Sequence, residues 1–421
     1  MRREPELICG MDLRPSALIV LPSARDRLNL EDPDVRGHIR SMLSEDDAPT
    51  DRPTTILERL AADPRSTDVD GVFGSTDAAA HLAVRLAALR GLPGPTPDAF
   101  MRCHDKLESR RLQRDAVPDA TPRFFALDPN VPIPDRLPLP YPLFVKPVSA
   151  HLSQLAFPVR DRRELEEALS AAREHLDRVA AFDEELEGRS FHLMLVEELL
   201  QGRLVTFEGF IHGGSMTPIG VTDSVLHPNG ISFIRFDYPS RLPPGVFDRL
   251  CEIAEVLMPA LGFDGSLFNI ELFVQPDGTA KIVEVNGRMA SQFAPLLRAV
   301  HGISSYRIQL ELVTGGSPAI PEARNDVVAS SFVLRRYVQD ADVGSVPDPS
   351  QLLERFPSAQ VELLVRPGQR LSDNDDDSAS HRLAIVAMSG PDRARLLHDW
   401  EAAQRLLPFE LRTVERSPTV G

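Results

Sequence analysis

Phe268-Asn269-Ile270-Glu271-Leu272-Phe273-Val274, then Pro276-Asp277-Gly278, then Ala280-Lys281-Ile282-Val283-Glu284-Val285-Asn286-Gly287-Arg288 decide how this chain is read. Both apolar runs are rich in β-prone residues, and the Pro-Asp-Gly turn between them predicts an antiparallel pair. Each run carries one glutamate among apolar neighbours. A buried carboxylate is costly unless it is paired or bound to metal. Two of them at similar levels on adjacent strands predict a compact anionic pocket. Side chains alternate along a strand, so Asn286 shares the face of Glu284 and adds a neutral oxygen. Arg288 shares that face if the strand stays extended. Hard oxygen ligands with open positions suit Mg²⁺ carrying a polyphosphate. An arginine beside them would neutralise a transferring phosphoryl group or a developing oxyanion.

Other charged residues upstream fit the same chemistry. Leu143-Phe144-Val145-Lys146-Pro147 is a short apolar strand whose lysine needs an anion nearby. Lys106 lies in a basic stretch, Cys103 to Leu112, read as one helix. Glu197-Glu198-Leu199-Leu200 ends a strand with carboxylates and backbone groups suited to an adenine edge and a ribose.

Around this centre the chain divides into three parts. Residues 1–95 alternate strand and helix. Ala17 to Leu21 and Gly71 to Gly74 are predicted strands, and a helix capped within Ser75-Thr76-Asp77 runs to Arg90 and stops at Gly91. That order predicts a doubly wound α/β unit. Residues 96–320 hold the motifs above, with about 120–190 as a smaller subdomain containing a helix from Asp161 and Glu164 to about Arg173. Residues 321–421 read as a separate small α+β unit, with strands at Val327–Tyr337 and Arg382–Met388 and a helix from Asp392 to Leu407. Asp373 to Asp377 lacks the glycine and distant glutamate of a calcium loop and is read as a solvated loop.

Composition narrows the class. The 421 residues are 42% hydrophobic and 26% charged, with a net charge of −16. That balance argues against nucleic acid and anionic membrane as partners. No apolar run approaches the ~20 residues of a membrane span, and Met1 to Glu6 does not open a signal peptide. Three scattered cysteines (Cys9, Cys103, Cys251) exclude a disulfide framework and fit a reducing cytoplasm.

Taken in order, the motifs resemble the ATP-grasp superfamily, in its carboxylate–amine ligase branch with biotin-carboxylase-like domain order. The matching pieces are Asp105-Lys106 with Arg110, Phe144-Val145-Lys146-Pro147, Val196-Glu197-Glu198-Leu199, Phe207-Glu208-Gly209, Gly220-Val221-Thr222-Asp223, Asn269-Ile270-Glu271 and Glu284-Val285-Asn286-Gly287-Arg288. The resemblance implies ATP and Mg²⁺ (with Mn²⁺ as a substitute), amino acid substrates, and room for a homodimer. It assigns Lys106 and Lys146 to the ATP phosphates, Glu197 or Glu198 with the Leu199 backbone to adenine, and Glu208 or Glu198 to the ribose. Glu271, Glu284 and Asn286 would hold metal, and Arg288 would meet the phosphoryl or acyl-phosphate oxygens. The family's glycine- and serine-rich phosphate flap is here Val148-Ser149-Ala150-His151-Leu152-Ser153-Gln154, without glycine, which leaves two alternatives: Ser153 and His151 do part of its work as side-chain donors, or the flap closes differently. Gly287 replaces a common proline.

The implied reaction joins two amino acids, as a dipeptide or γ-glutamyl-type amide, through an acyl phosphate, in specialised metabolism. Arg235, Arg241, Arg298, Arg307, Arg335 and Arg336 are candidate carboxylate anchors, and Asp223 or Asp237 would assist the amine. Three other readings stay open: a thioester-forming ligase, a carboxylase making carboxyphosphate, and a nucleotide-binding protein without turnover.

Overall fold

A computed structural model describes residues 16–30, 32–37, 39–43, 52–150, 154–337, 340–373 and 380–413. The N-terminal unit is a parallel sheet of β1 (Ala17–Val20), β2 (Ile39–Leu43) and β3 (Gly71–Phe73) in the order β2-β1-β3. Every residue of β1 is buried, as its unbroken apolar run requires in a parallel sheet. Helices α1 (Ala24–Asn29), α2 (Pro33–Arg36), α3 (Pro53–Ala62) and α4 (Asp77–Arg90) complete it. Thr76 caps α4 by accepting from the Ala79 N–H, and Gly91, at φ 64°, ends it in the left-handed region.

The basic helix expected from Cys103 to Leu112 is instead two helices, α5 (Pro97–His104) and α6 (Lys106–Ala116). Asp105 separates them. Its carboxylate accepts from the N–H groups of Leu107 (3.0 Å) and Glu108 (3.1 Å), so a side-chain cap starts a new helix with Lys106 as its first residue.

Next comes an antiparallel sheet in the order β4-β7-β5-β6. It is built from β4 (Phe124–Leu127), β5 (Leu143–Pro147), β6 (Phe157–Val159) and β7 (Met194–Glu198). Helix α7 (Arg162–Glu187) backs it and outruns its expected end near Arg173, because Leu176, Ala180 and Leu186 continue the buried stripe begun by Leu165 and Leu169. Only half of the capping box forms. Asp161 accepts from the Glu164 N–H at 2.9 Å, while the Glu164 carboxylate takes the Arg160 N–H at 2.7 Å.

The remaining chain adds β8 (Arg203–His212), β9 (Ser215–Leu226), β10 (Phe233–Tyr238), α8 (Pro244–Ala260), β11 (Ser266–Val274) and β12 (Ala280–Asn286). After these come α9 (Ala294–His301), α10 (Ser305–Val313), β13 (Val328–Arg336), β14 (Ala341–Ser345), α11 (Ser350–Arg355), β15 (Gln360–Leu363), β16 (His381–Gly390), α12 (Arg393–Gln404) and β17 (Glu410–Thr413). Eight of these strands form one sheet, in the order β12-β11-β8-β9-β10-β13-β16-β15. Three strands after residue 320 therefore continue the central sheet, where the sequence suggests a separate unit. β13 pairs with β10 and removes what would be an open edge, and the Ser330 hydroxyl donates to Asp237 across that seam at 2.6 Å. Only β14 and β17 pair apart from it.

One face of this sheet buries Val205, Phe207, Phe268 and Ile270 against Leu250, Leu257 and Met258 of α8. Thr206, Phe236, Asn269 and Glu271 lie along the wall of a cavity of about 720 Å³. No helix among the described residues is long and apolar enough to cross a membrane.

Candidate active site

β11 and β12 pair with Asn269 opposite Asn286 and Glu271 opposite Glu284. The two carboxylates thus face each other across adjacent strands, as their sequence setting predicts, and both line the cavity. They divide the charge unevenly. Loss of solvent, and then the neighbouring Glu284, push Glu271 up to about 8. Loss of solvent acts on Glu284 too, but Lys106 and Lys146 outweigh it and hold its carboxyl below the usual range. The Asn286 amide donates to Asn269 Oδ1 at 3.0 Å, which leaves its own Oδ1 as the acceptor. Among the described residues no group of three or more His, Cys, Asp or Glu side chains gathers as a metal cage. Two carboxylates and an amide oxygen form instead an open half-shell. That set fits Mg²⁺ with phosphate oxygens and water at its other positions, and a divalent charge would remove the reason for Glu271 to keep its proton.

The strand ends at Asn286, so Arg288 does not continue its face. It reaches the cavity from a bend and is gripped by Asp77, the first residue of α4, through Nε–Oδ1 at 2.6 Å and Nη2–Oδ2 at 3.0 Å. Sequence reading credits Asp77 only with a place at a helix start. Gly287 is required by close approach, because a Cβ there would come within 2.9 Å of the Phe263 ring and 3.4 Å of Cys103.

A β-bulge organises the cations. Glu271 lies opposite Glu284 but Leu272 opposite Ile282, which leaves Val283 as the extra residue. The Val283 carbonyl accepts from Lys146 Nζ at 2.9 Å and from Arg110 Nη2 at 2.6 Å, and the Ile282 carbonyl from Arg110 at 2.9 Å. Glu197 closes this group, with one oxygen on Arg110 and the other 2.9 Å from Lys146 Nζ. Lys106 Nζ donates to the Ala150 carbonyl at 2.6 Å and lies 3.8 Å from Glu284. Its backbone N–H donates to the Val148 carbonyl at 2.8 Å, tying the start of α6 to the base of the flap.

The nucleotide end departs from expectation at two glutamates. Glu197 has both oxygens committed to Arg110 and Lys146, so it positions a lysine and its carboxylate is not free for adenine. Glu208 is absent from the cavity wall. It is buried opposite Asn269 with Oε2 unpartnered among the described residues, and burial pushes it up to about 8, a poor state for a ribose acceptor. Glu198 and Leu199 do line the cavity. Glu198 is braced by the Arg123 N–H at 2.9 Å and its Nε at 2.8 Å, and the Leu199 N–H meets the Pro142 carbonyl at 3.3 Å. Ser153 and His151 lie outside the described residues, as does most of the acidic loop after Asp373.

Of the six candidate anchoring arginines, only Arg335 lines the cavity. Arg235 pairs with Asp237, Arg298 with Asp32 and Arg307 with Glu311, while Arg336 is exposed. Asp223 and Asp237 are both held away from the cavity. Asp223 is bound by Arg203 and by the Ser240 hydroxyl at 2.5 Å, and Asp237 by Arg393 at 2.6 Å.

Comparison with known proteins agrees with this geometry. Residues 139–295 match the family model of an ATP-grasp domain. The chain carries that domain and has the ATP-grasp fold. The L-amino acid ligase from Bacillus licheniformis superposes with a TM-score of 0.78 at 16% identity, covering 95% of this chain and 99% of that one. Biotin carboxylase from Campylobacter jejuni gives a TM-score of 0.63 at 14% identity, over 94% and 87% of the two chains. In sequence, the y4rH protein of Sinorhizobium fredii, described as uncharacterized, is 24% identical over 356 residues, or 81% of this chain and 69% of its own length.

Proposed function

We propose that the protein is an ATP- and Mg²⁺-dependent ligase that joins a carboxylate to the amine of an amino acid, releasing ADP and phosphate. The observation that carries this reading is the register pairing of Glu271 with Glu284 in a cavity also lined by Asn286, two lysines and Arg288. A carboxylate oxygen is a poor leaving group and phosphate a good one, so activation as an acyl phosphate precedes attack by the amine. Lys106 and Lys146 meet the anionic phosphates, and Arg288 stabilises negative charge on the phosphoryl or tetrahedral oxygens. Glu271, Glu284 and Asn286 would hold Mg²⁺, which would supply charge neutralisation and alignment for the transfer. The product is a dipeptide or side-chain amide, a type of compound that suits specialised metabolism, made by an enzyme at home in the cytoplasm.

The test is ADP and phosphate release against amino acids offered singly and in pairs, with mass spectrometry of the products. Release with a specific pair, and a product one water lighter than its substrates, supports the ligase. A thioester, or no release with any pair, sinks it.

Two expected results follow from the site's charges. Binding of Mg²⁺ must expel the proton that Glu271 keeps up to about pH 8. Apparent affinity should therefore rise about tenfold per pH unit from 6 toward 8 and level off above. Calorimetric titration in two buffers of different ionisation enthalpy reads the released proton directly. Asp77→Asn loosens the guanidinium of Arg288 without touching the nucleotide. Turnover should fall about tenfold with little change in KM for ATP, and Asp77→Glu should restore part of it. A change confined to KM for ATP would contradict the positioning role.

A further inference from the structure

Outside the cavity, a buried polar cluster joins three helices to the base of the flap. Asp183 of α7 stands at its centre. Its Oδ1 accepts from His81 Nδ1 of α4 at 3.1 Å, and its Oδ2 from His104 Nε2, at the end of α5, at 2.8 Å. The Ser149 hydroxyl donates to the same Oδ2 and lies 3.3 Å from His104 Nε2. On the other side of its ring, His81 Nε2 meets Glu187 at 2.8 Å, and Glu187 also accepts from Arg85. A carboxylate only accepts, so a ring with a carboxylate on each nitrogen donates from both and carries a positive charge. Loss of solvent would raise the Asp183 carboxyl, but His104, His81 and Ser149 outweigh it and hold it well below the usual range. Asp183 is thus an ionised carboxylate with three donors, and its place among them is fixed.

None of His81, His104, Ser149 and Asp183 lines the cavity, whereas Lys106 and Ala150 do. What the cluster holds is the chain on either side of a contact made there. Lys106 follows His104 with only Asp105 between them. Its N–H donates to the Val148 carbonyl and its ammonium to the Ala150 carbonyl, so Ser149 is the residue between the two groups that receive Lys106. A lysine ammonium ends a flexible four-carbon stem and has no direction of its own. Its aim is set by the carbonyl that takes it, and so by whatever fixes residues 148–150. We infer that Asp183 is a positioning residue for Lys106: by binding His104 and Ser149 through one carboxylate, it fixes both the start of α6 and the carbonyls that aim the ammonium at the phosphates of ATP. The inference rests on the reading of Lys106 as a phosphate contact and adds to it a side chain outside the cavity.

The experiment is calorimetric titration of the full chain with a non-hydrolysable ATP analogue and Mg²⁺, and separately with adenosine, which lacks phosphate. Asp183→Asn and Ser149→Ala should each weaken the analogue about tenfold and leave adenosine within about twofold. In a Lys106→Met chain, which keeps the stem and loses the charge, either substitution should cost less than about twofold more, because the contact that it aims is already gone. A role confined to holding the fold together would not depend on Lys106. Ser149→Ala removes one hydroxyl and leaves Asp183 with both histidines, so it carries the test if Asp183→Asn fails to fold. Equal losses for adenosine, the same loss in the Lys106→Met chain, or unchanged affinity in Ser149→Ala overturns the inference. So does a Lys106→Met chain that binds the analogue as tightly as the parent. Phosphate-specific losses coupled to Lys106, without ADP release for any pair of amino acids, would sink the ligase reading and leave this inference standing. Turnover of a specific pair with unchanged affinity in Ser149→Ala would do the reverse.

Discussion

Glu284→Gln is expected to lower ATP-dependent ADP release about a thousandfold while the protein stays folded. Glutamine keeps the shape and removes one of only two carboxylates in the half-shell. The other, Glu271, is raised by burial and by the charge of Glu284 itself, so the variant leaves a divalent cation a single carboxylate whose charged form burial still opposes. Metal-assisted charge stabilisation amounts to several kcal/mol, and each 1.4 kcal/mol is about tenfold in rate. The fold should tolerate the change because Glu284 is half-buried at a cavity wall and its cationic neighbour Lys106 also bonds a backbone carbonyl. Arg288→Ala is a less clean probe, since it also strands Asp77 at the start of α4. Steady-state assay beside a thermal melt separates the two effects. Turnover within tenfold of the parent chain would contradict the metal role of Glu284.

Glu197→Ala should have the largest effect on stability. Its carboxylate is the anion between Arg110 and Lys146, and the three side chains are no more than 7% exposed. Removing one partner of a buried ion pair typically costs about 3–5 kcal/mol, because the remaining charge loses its compensation. Lys146 already sits low, since burial outweighs the help of Glu197. In the variant it sheds its proton more readily, so the loss should be greatest at low pH, where that proton is forced on, and smaller as pH rises. Denaturant unfolding at several pH values reads this slope. A pH-independent loss below about 1 kcal/mol would mean that the Val283 and Ile282 carbonyls suffice for the cations.

The facing carboxylates were legible in sequence because two-residue alternation puts Glu284 and Asn286 on one face and the turn brings Glu271 opposite. The cationic half was only partly so. Lys146 announces itself by standing in an apolar strand, but its partners depend on a one-residue bulge at Val283, and no residue type there signals a bulge. Glu208 shows the reverse limit: alternation gives the face of a strand and says nothing of exposure, so a carboxyl read toward a ribose is buried and does not line the cavity. Asp77 comes from a segment far from Arg288 in the chain, and only the packing of α4 brings it in. The helix break at Asp105 carried a signal, an aspartate able to cap a new first turn, that was outweighed by the run of helix-forming residues around it.

The unbroken eight-stranded sheet has a mechanical meaning. A cleft between separately hinged bodies can adapt its width to what it holds. Here Glu271 on β11, Thr206 on β8, Phe236 on β10 and Val333 on β13 are graduations on one hydrogen-bonded ruler, whose interval is the strand spacing. The sheet cannot stretch by part of an interval without breaking a ladder, so a change in what the cavity holds has to be met by side chains along the rule, such as Phe236 or Val333, while the marks stay where they are.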